Sequence, residues 1–364
     1  MKAGIVGLPN VGKSTLFNCL TNGKAQSANF PFCTIEPNFG AVTIPDERLN
    51  KLVELVKPEK TIPNSVEIVD IAGLVKGASK GEGLGNQFLS NIRETNAIIH
   101  VLRCYENDNI THVEGSVDPY RDKEIIDFEL QIKDLETIKK RIDRIERQAK
   151  SGDKSFLKEF NVLDSVVGSL NKGISVRLQS ISLEDHKNYI QPLSLLTSKP
   201  VLYVCNINEN EISNQSPELI KLIEFLEKEG SRIVVLAAKI EEEINELENY
   251  EDRKMFLDDL GLTDSGSTVL IRETHKLLNL STFYTAGPKE VKAWTFVNGS
   301  KAPAVAGIIH SDFEKGFIRA EVIKYQDFVD YGSESKIREA GKLKVEGKEY
   351  VVEDGNIIHF RFNV

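Results

Sequence analysis

Long apolar runs are missing from this chain. No stretch of its 364 residues approaches the roughly 18 to 20 apolar residues that cross a bilayer as a helix, so a membrane role is not expected. Cysteine is scarce. The four cysteines, Cys19, Cys33, Cys104 and Cys205, lack the spacing of a metal-ligand set, which argues against a zinc module or a disulfide framework. Reduced thiols, and hence the cytoplasm, are the expected setting. Basic charge is not in excess: 46 Lys and Arg stand against 55 Asp and Glu, a net charge of −9. Nothing global therefore advertises binding to nucleic acid or to an anionic membrane, although an acidic balance leaves room for a local basic face. No repeat or low-complexity tract breaks the pattern, and the chain enters its first strand directly, so no signal peptide is expected. At 40% hydrophobic and 28% charged residues, the composition is that of a globular protein, and the length suggests two or three domains.

What is present begins at Gly7. Residues Gly7-Leu8-Pro9-Asn10-Val11-Gly12-Lys13-Ser14 have the spacing G-x-x-x-x-G-K-[ST]. The run Ala3 to Val6 before them reads as a buried strand, and Thr15 to Leu20 after them as a helix. Strand, loop and helix form the context of a phosphate-binding loop. Gly7 and Gly12 let backbone N–H groups converge on an anion, and the helix N-terminus adds its partial positive charge. Lys13 offers a cation to the β- and γ-phosphates, and the Ser14 hydroxyl suits Mg²⁺.

Alternating strands and helices from Lys2 to about Arg103 predict an α/β fold with a mostly parallel sheet and helices on both faces. Ser65 to Asp70 and Ala97 to Leu102 read as buried strands. From Arg121 to Lys150 apolar residues recur at spacings of three and four (Ile125, Phe128, Ile132, Leu135, Ile138), the pattern of a long amphipathic helix. A second such pattern runs from Phe156 to Leu170 after the turn Ser151-Gly152-Asp153, so a helical hairpin or short antiparallel coiled coil is expected. Strand character returns at Pro200 to Cys205 and at Arg232 to Leu236, with a helix near Pro217 to Lys228 between. The helical segment therefore reads as an insertion. The expected domains are 1–120 with 196–280 for nucleotide binding, 121–195 for the helical insertion, and 281–364 for a small α+β module. In that module strands are expected at Lys292 to Val297, Lys342 to Val345, Tyr350 to Val352 and Ile357 to Phe362, with one helix near Phe313 to Val322.

Asp70 ends the strand from Ser65 and is followed by Ile71-Ala72-Gly73. It is expected to hold Mg²⁺, with the Gly73 N–H meeting the γ-phosphate. The glycine-rich stretch from Leu74 to Asn86 reads as a segment that rearranges with the state of that phosphate. Thr34, in the loop Phe30 to Pro37, is the second expected metal ligand beside Ser14.

Taken together these segments resemble the YchF family of Obg-like P-loop ATPases. The resemblance is carried by Gly7 to Thr15, by Phe30-Pro31-Phe32-Cys33-Thr34-Ile35-Glu36-Pro37-Asn38, by Asp70 to Ala78, and by Asn206-Ile207-Asn208-Glu209. It covers essentially the whole chain. It implies a C-terminal TGS domain with a β-grasp, ubiquitin-like fold, and association with ribosomes, ribosomal RNA or translation factors; a monomer is expected. Related GTPases read guanine with N-K-x-D. Here Ile207 replaces the Lys and the longer Glu209 replaces the Asp, which argues against strict GTP selection and disfavours the alternative of a GTPase; the resemblance implies ATP. Asn206 and Ile207 are carried over as base contacts, Glu209 more loosely, and Val11, Gly12 and Thr15 as part of the phosphate grip. Ala238 falls in the loop that cradles the base, where Ala237 departs from the usual Ser. Leu74 stands where a Gln would position the attacking water, so slow hydrolysis, or a nucleotide-gated binding module with negligible turnover, is expected. His112 is a candidate for the missing catalytic group. Asn10 is another point of interest, because related enzymes use an Asn there to bind K⁺ near the transferred phosphate. Residues 281–364 hold twelve basic and twelve acidic side chains, so the net negative charge resides in residues 1–280.

Overall fold

The computed structural model describes residues 1–21, 39–71, 84–247 and 249–363. They form two compact units. The first comprises Met1–Ala41 and Glu67–Thr274, the second Val42–Val66 and His275–Val364.

The first unit is built on a six-stranded sheet of β2 (Phe39–Thr43), β4 (Ser65–Asp70), β1 (Lys2–Val6), β5 (Ala97–Arg103), β6 (Val201–Asn206) and β7 (Arg232–Leu236), in that spatial order. Every residue of β5 and β6 is buried. Such strands read as nearly continuous apolar runs, interrupted in β5 by His100, because both faces are covered. The pairings of β1 with β4 and β5, of β5 with β6 and of β6 with β7 are parallel, with Ile5 opposite Asp70, Arg103 opposite Asn206, and Asn206 opposite Leu236. This register gathers the carboxyl ends of five strands at one edge, where open α/β sheets bind ligands. The helix α1 (Lys13–Thr21) leaves that edge directly after the glycine loop, and α3 (Leu84–Arg93) leads into β5.

The long amphipathic pattern forms α4 (Pro119–Lys150), which spans about 48 Å. Asp118 caps it by accepting from the Arg121 N–H at 3.1 Å, and Pro119 occupies the first turn, where its missing donor costs nothing. After Ser151 and Gly152 the chain returns as α5 (Lys154–Leu170), capped by Asp153. Ile138, Ile145, Leu163, Val166 and Leu170 interlock with Val176, Ile190 and Leu195 in the insertion's own core. Nearer the sheet, α4 is fixed by polar groups. Asp134, fully buried, accepts from the Leu196 and Thr197 N–H groups at 2.8 and 2.7 Å and from the Thr197 hydroxyl at 2.7 Å. Asp127 bridges Lys123 at 3.0 Å and Arg177 at 2.8 Å; despite the penalty of burial, these two cations hold its carboxyl below the usual range. No helix among the described residues is long and apolar enough to cross a membrane.

The second unit carries a sheet of order β11 (Lys344–Glu346), β10 (Phe317–Ile323), β12 (Ile357–Phe362), β8 (Leu280–Ala286), β9 (Glu290–Val297) and β3 (Lys60–Ile62). β8 and β9 form an antiparallel hairpin, the helix Ala302–Ile309 follows, and β12 runs parallel to β8 with Ile357 opposite Tyr284. This is a β-grasp arrangement. Residues 42–66, which the sequence reading put with 1–120, gather here instead. They supply β3, paired in parallel with β9, and the helix α2 (Glu47–Val56), whose Leu49 and Leu52 pack on Tyr284, Val291 and Ala293. The helix expected over Phe313–Val322 is a helix only over Ser311–Lys315; Phe317–Ile323 is a strand. Phe313, Phe317 and Ala320 stand four and three apart, which imitates helical spacing. Phe317, Ala320 and Val322 instead face the core beside Phe360. The strand expected at Tyr350–Val352 is reduced to one bridge between Val351 and Lys301.

Replacing the fully buried Leu163 by Ala should remove side-chain volume from the middle of the insertion's core. Urea unfolding is expected to show a loss of about 2–5 kcal/mol, and a change below ~1 kcal/mol would mean the site collapses around the gap.

Candidate functional site

The phosphate loop lies at the carboxyl end of β1, and its backbone takes up conformations that few side chains tolerate. Gly12 has φ +99°, and a Cβ there would strike the Asn206 amide; at Gly7 a Cβ would come within 2.6 Å of the Val101 carbonyl oxygen. Asn10 is left-handed at φ 63°, a conformation asparagine bears better than most residues. Its Nδ2 donates to the Thr111 carbonyl at 3.1 Å. Lys13 opens α1 and folds back so that Nζ donates to the Leu8 carbonyl at 2.7 Å. Burial lowers its ammonium from 10.5 to about 8, against the opposing pull of Asp70. Thr15 follows in the first turn of α1.

Ser14 and Asp70 come from elements 56 residues apart and meet at this edge. The Ser14 hydroxyl donates to Asp70 Oδ2 at 3.1 Å. Asp70 Oδ1 is buried and has no hydrogen-bond partner among the described residues. Burial raises the Asp70 carboxyl, while Ser14 and Lys13 oppose the rise. A hydroxyl beside an unsatisfied carboxylate oxygen is a donor set that fits a hard divalent cation such as Mg²⁺. Thr34 and Gly73, the other expected phosphate and metal contacts, lie outside the described residues.

On the opposite flank, Asn206 ends β6 and is 2% exposed. Its Nδ2 donates to the Val11 carbonyl at 2.9 Å, and its Oδ1 accepts from the Ala238 N–H at 3.0 Å. Expected as a base contact, Asn206 is also the tie between the phosphate loop and the loop after β7. Ile207 is buried, with its N–H on the Leu236 carbonyl at 3.0 Å. Ala238 is buried as well, while Glu209 is exposed at the head of a short turn of helix, Glu209–Glu211. Asn208 caps that turn in a capping box with Glu211, so the N-x-x-E spacing that begins at Asn208 serves local structure.

His112 differs most from its expected role. It is 7% exposed; Nδ1 accepts from the Glu114 N–H at 3.2 Å, and Nε2 lies 2.9 Å from Asp122 Oδ2. Accepting at Nδ1 puts the proton of the neutral ring on Nε2, toward Asp122. Both nitrogens are engaged, so His112 holds the root of α4 and has no nitrogen to offer a water molecule. Sequence reasoning missed three participants: the Leu8 carbonyl, the Thr111 carbonyl and Arg103. Backbone acceptors leave no trace in residue types. Arg103 did leave one, as a lone cation ending an apolar strand.

The replacement Gly12→Ala should abolish binding of Mg·ATP, because it strains the left-handed backbone and collides with Asn206; calorimetry giving affinity within about threefold of the parent would contradict this. A bound polyphosphate would keep Lys13 charged. Above pH 8, where the free ammonium has begun to lose its proton, binding must then take one up, and affinity should fall as pH rises. Ligand-free stability runs the other way. Between about pH 8 and 10.5 the unfolded chain binds more protons at this lysine than the native chain, so native stability rises with pH. Calorimetry at pH 8.5 in two buffers of different ionisation enthalpy is expected to show uptake of roughly half a proton or more, absent from Lys13→Ala.

A family model described as 50S ribosome-binding GTPase matches residues 2–145, and one for the YchF-GTPase C-terminal region, described as a protein of unknown function, matches residues 280–363. The chain is 53% identical over 366 residues to the ribosome-binding ATPase YchF of Bacillus subtilis (strain 168), covering 100% of both. It is 53% identical over 363 residues to the ribosome-binding ATPase YchF of Escherichia coli O157:H7, covering 100% of this chain and 99% of the relative. The structure of the Schizosaccharomyces pombe YchF GTPase matches with a TM-score of 0.91 at 37% identity, covering 99% of this chain and 97% of that one. With its P-loop α/β unit, its helical insertion and its C-terminal α+β unit all accounted for over full length, the chain belongs to the YchF family.

Proposed function

We propose that this chain is a Mg²⁺-dependent ATPase with a preference for ATP over GTP, and that nucleotide sets its affinity for the ribosome. The reading is carried by one observation: Lys13 and the Ser14–Asp70 pair converge beneath a left-handed glycine loop at the carboxyl edge of the sheet. The curated relatives at 53% identity are named ribosome-binding ATPases, which supports the choice of partner and of nucleotide. Ile207 and the exposed Glu209 stand where guanine-reading enzymes have Lys and a short Asp, so nothing at these positions penalises a base that lacks the guanine donors. We further propose a TGS role for the C-terminal unit and action as a monomer in the cytoplasm.

In hydrolysis a water oxygen forms a bond to the γ-phosphorus while the bond to the β–γ bridging oxygen breaks. Loop N–H groups and the Lys13 ammonium hold the phosphates in line and stabilise charge on them as it develops. Ser14 and Asp70, with Thr34, would hold Mg²⁺, which when bound supplies further neutralisation of the phosphate oxygens. Asn10 gives its amide N–H to Thr111, and its Oδ1 is the atom that would ligate K⁺ as an auxiliary ion at this position. Leu74 offers no hydrogen bond to water, so intrinsic turnover is expected to be slow.

Mg·ATP should bind at least about tenfold more tightly than Mg·GTP by calorimetry, and phosphate release should fall by roughly 10²-fold or more in Lys13→Ala. Tighter GTP binding by tenfold would reverse the assignment. Phosphate release that stays at background both with and without ribosomes would leave a nucleotide-gated binding module in place of an enzyme.

A further inference from the structure

We infer that Arg103 is a positioning residue for the phosphate loop, acting on Asn10 through the loop that follows β5. This rests on the ATP-site reading above and adds a determinant outside the phosphate loop itself. Arg103 is the last residue of β5 and is 1% exposed. Its guanidinium faces backbone: Nε donates to the Tyr105 carbonyl at 3.1 Å, Nη2 to Asn107 at 3.2 Å and Nη1 to Ile110 at 2.9 Å. The Tyr105 ring lies 4.9 Å from the guanidinium carbon. One planar fork thus ties three carbonyls of a loop whose bonds within residues 105–110 are local turns, such as Ile110 N–H on the Asn107 carbonyl, and a lysine, with a single ammonium, cannot span the same three oxygens.

The residue after Ile110 is Thr111, whose carbonyl accepts from Asn10 Nδ2. The residue after that is His112, held to Asp122 in the first turn of α4. The Thr111 oxygen is therefore fixed from both sides, by Arg103 on one and by the root of α4 on the other. Asn10 itself is exposed, and nothing about its burial would orient its amide. The bond to Thr111 selects its rotamer and supports the left-handed backbone at the point where the loop turns its N–H groups inward. Conformations of this kind persist only where surrounding structure over-determines them.

A double-mutant cycle tests this with Arg103→Lys, Asn10→Ala and the pair, reading kcat/KM for ATP and amide exchange over residues 8–12 in the ligand-free protein. Each single change is expected to lower kcat/KM by roughly three- to tenfold, and the pair should lose no more than the worse single. In Arg103→Lys, exchange over 8–12 should quicken by a similar factor. Asn10→Ala, at an exposed position that threatens no core, supplies the reciprocal arm: exchange over 105–112 should quicken too. Losses that multiply in the pair, or exchange unchanged in both arms, overturn the inference. A parent protein that neither binds nor hydrolyses ATP defeats the functional reading instead, and the exchange measurements still judge the link between Arg103 and Asn10.

Discussion

The side-chain amide of Asn206 joins two loops that lie 195 and 32 residues away from it in sequence, one through the Val11 carbonyl and one through the Ala238 N–H. Its position follows from sheet register, since Asn206 is opposite both Arg103 and Leu236 at the carboxyl ends of neighbouring strands. Its energetics follow from burial. Each backbone group that it satisfies would cost about 1–3 kcal/mol if left unpaired. Asparagine is suited to the place because one short, uncharged side chain carries both a donor and an acceptor. Gly12 must be glycine for the same reason: the amide occupies the space a Cβ would need. The geometry of the phosphate loop is thus imposed partly from across the sheet.

The same economy governs the root of the helical insertion. A buried carboxylate is stabilising only when its oxygens are met, and Asp134 is met three times by the Leu196–Thr197 segment. Asp127 lies between Lys123 and Arg177 and ties them together; Glu229 meets Lys123 from a second side and the Tyr203 hydroxyl meets Arg177. The half of α4 beyond these anchors depends on apolar interdigitation with α5. One helix is therefore fixed in two ways: by directional bonds where it meets the nucleotide unit and by close packing where it leaves.

Legibility followed the same division. Gly7, Gly12, Lys13 and Ser14 could be read because the phosphate loop needs those residue types at those spacings. The strands ending at Arg103 and Asn206 could be read because burial on both faces leaves nearly continuous apolar runs, and the one ending at Asp70 because its buried Val66 and Ile68 alternate with less buried neighbours. The hairpin of α4 and α5 was visible in its period. His112 misled because a loop full of polar residues looks exposed, whereas its partners, the Glu114 N–H and Asp122, enclose it. Asn206 to Glu209 read as a base motif, and one of its residues, Asn208, also caps the turn that follows, with Glu211. Phe317–Ile323 misled because a turn of helix and a bulged strand placed their apolar residues at helical intervals. His112 and Phe317–Ile323 misled through what folding puts beside them, close in sequence for His112 and across the pairing with β12 for Phe317–Ile323.

Residues 42–66 carry that point furthest. α2 rests on strands more than two hundred residues downstream; Asp46 bonds the Tyr284 hydroxyl and Arg48 pairs with Asp354. During synthesis from the amino end, Leu49 and Leu52 emerge long before the surface that will cover them. The early excursion must wait bare, or be sheltered, until the last strands arrive, and closing so large a loop comes late in folding. A nascent chain of this topology cannot complete its carboxyl-terminal unit until almost its entire length has been made.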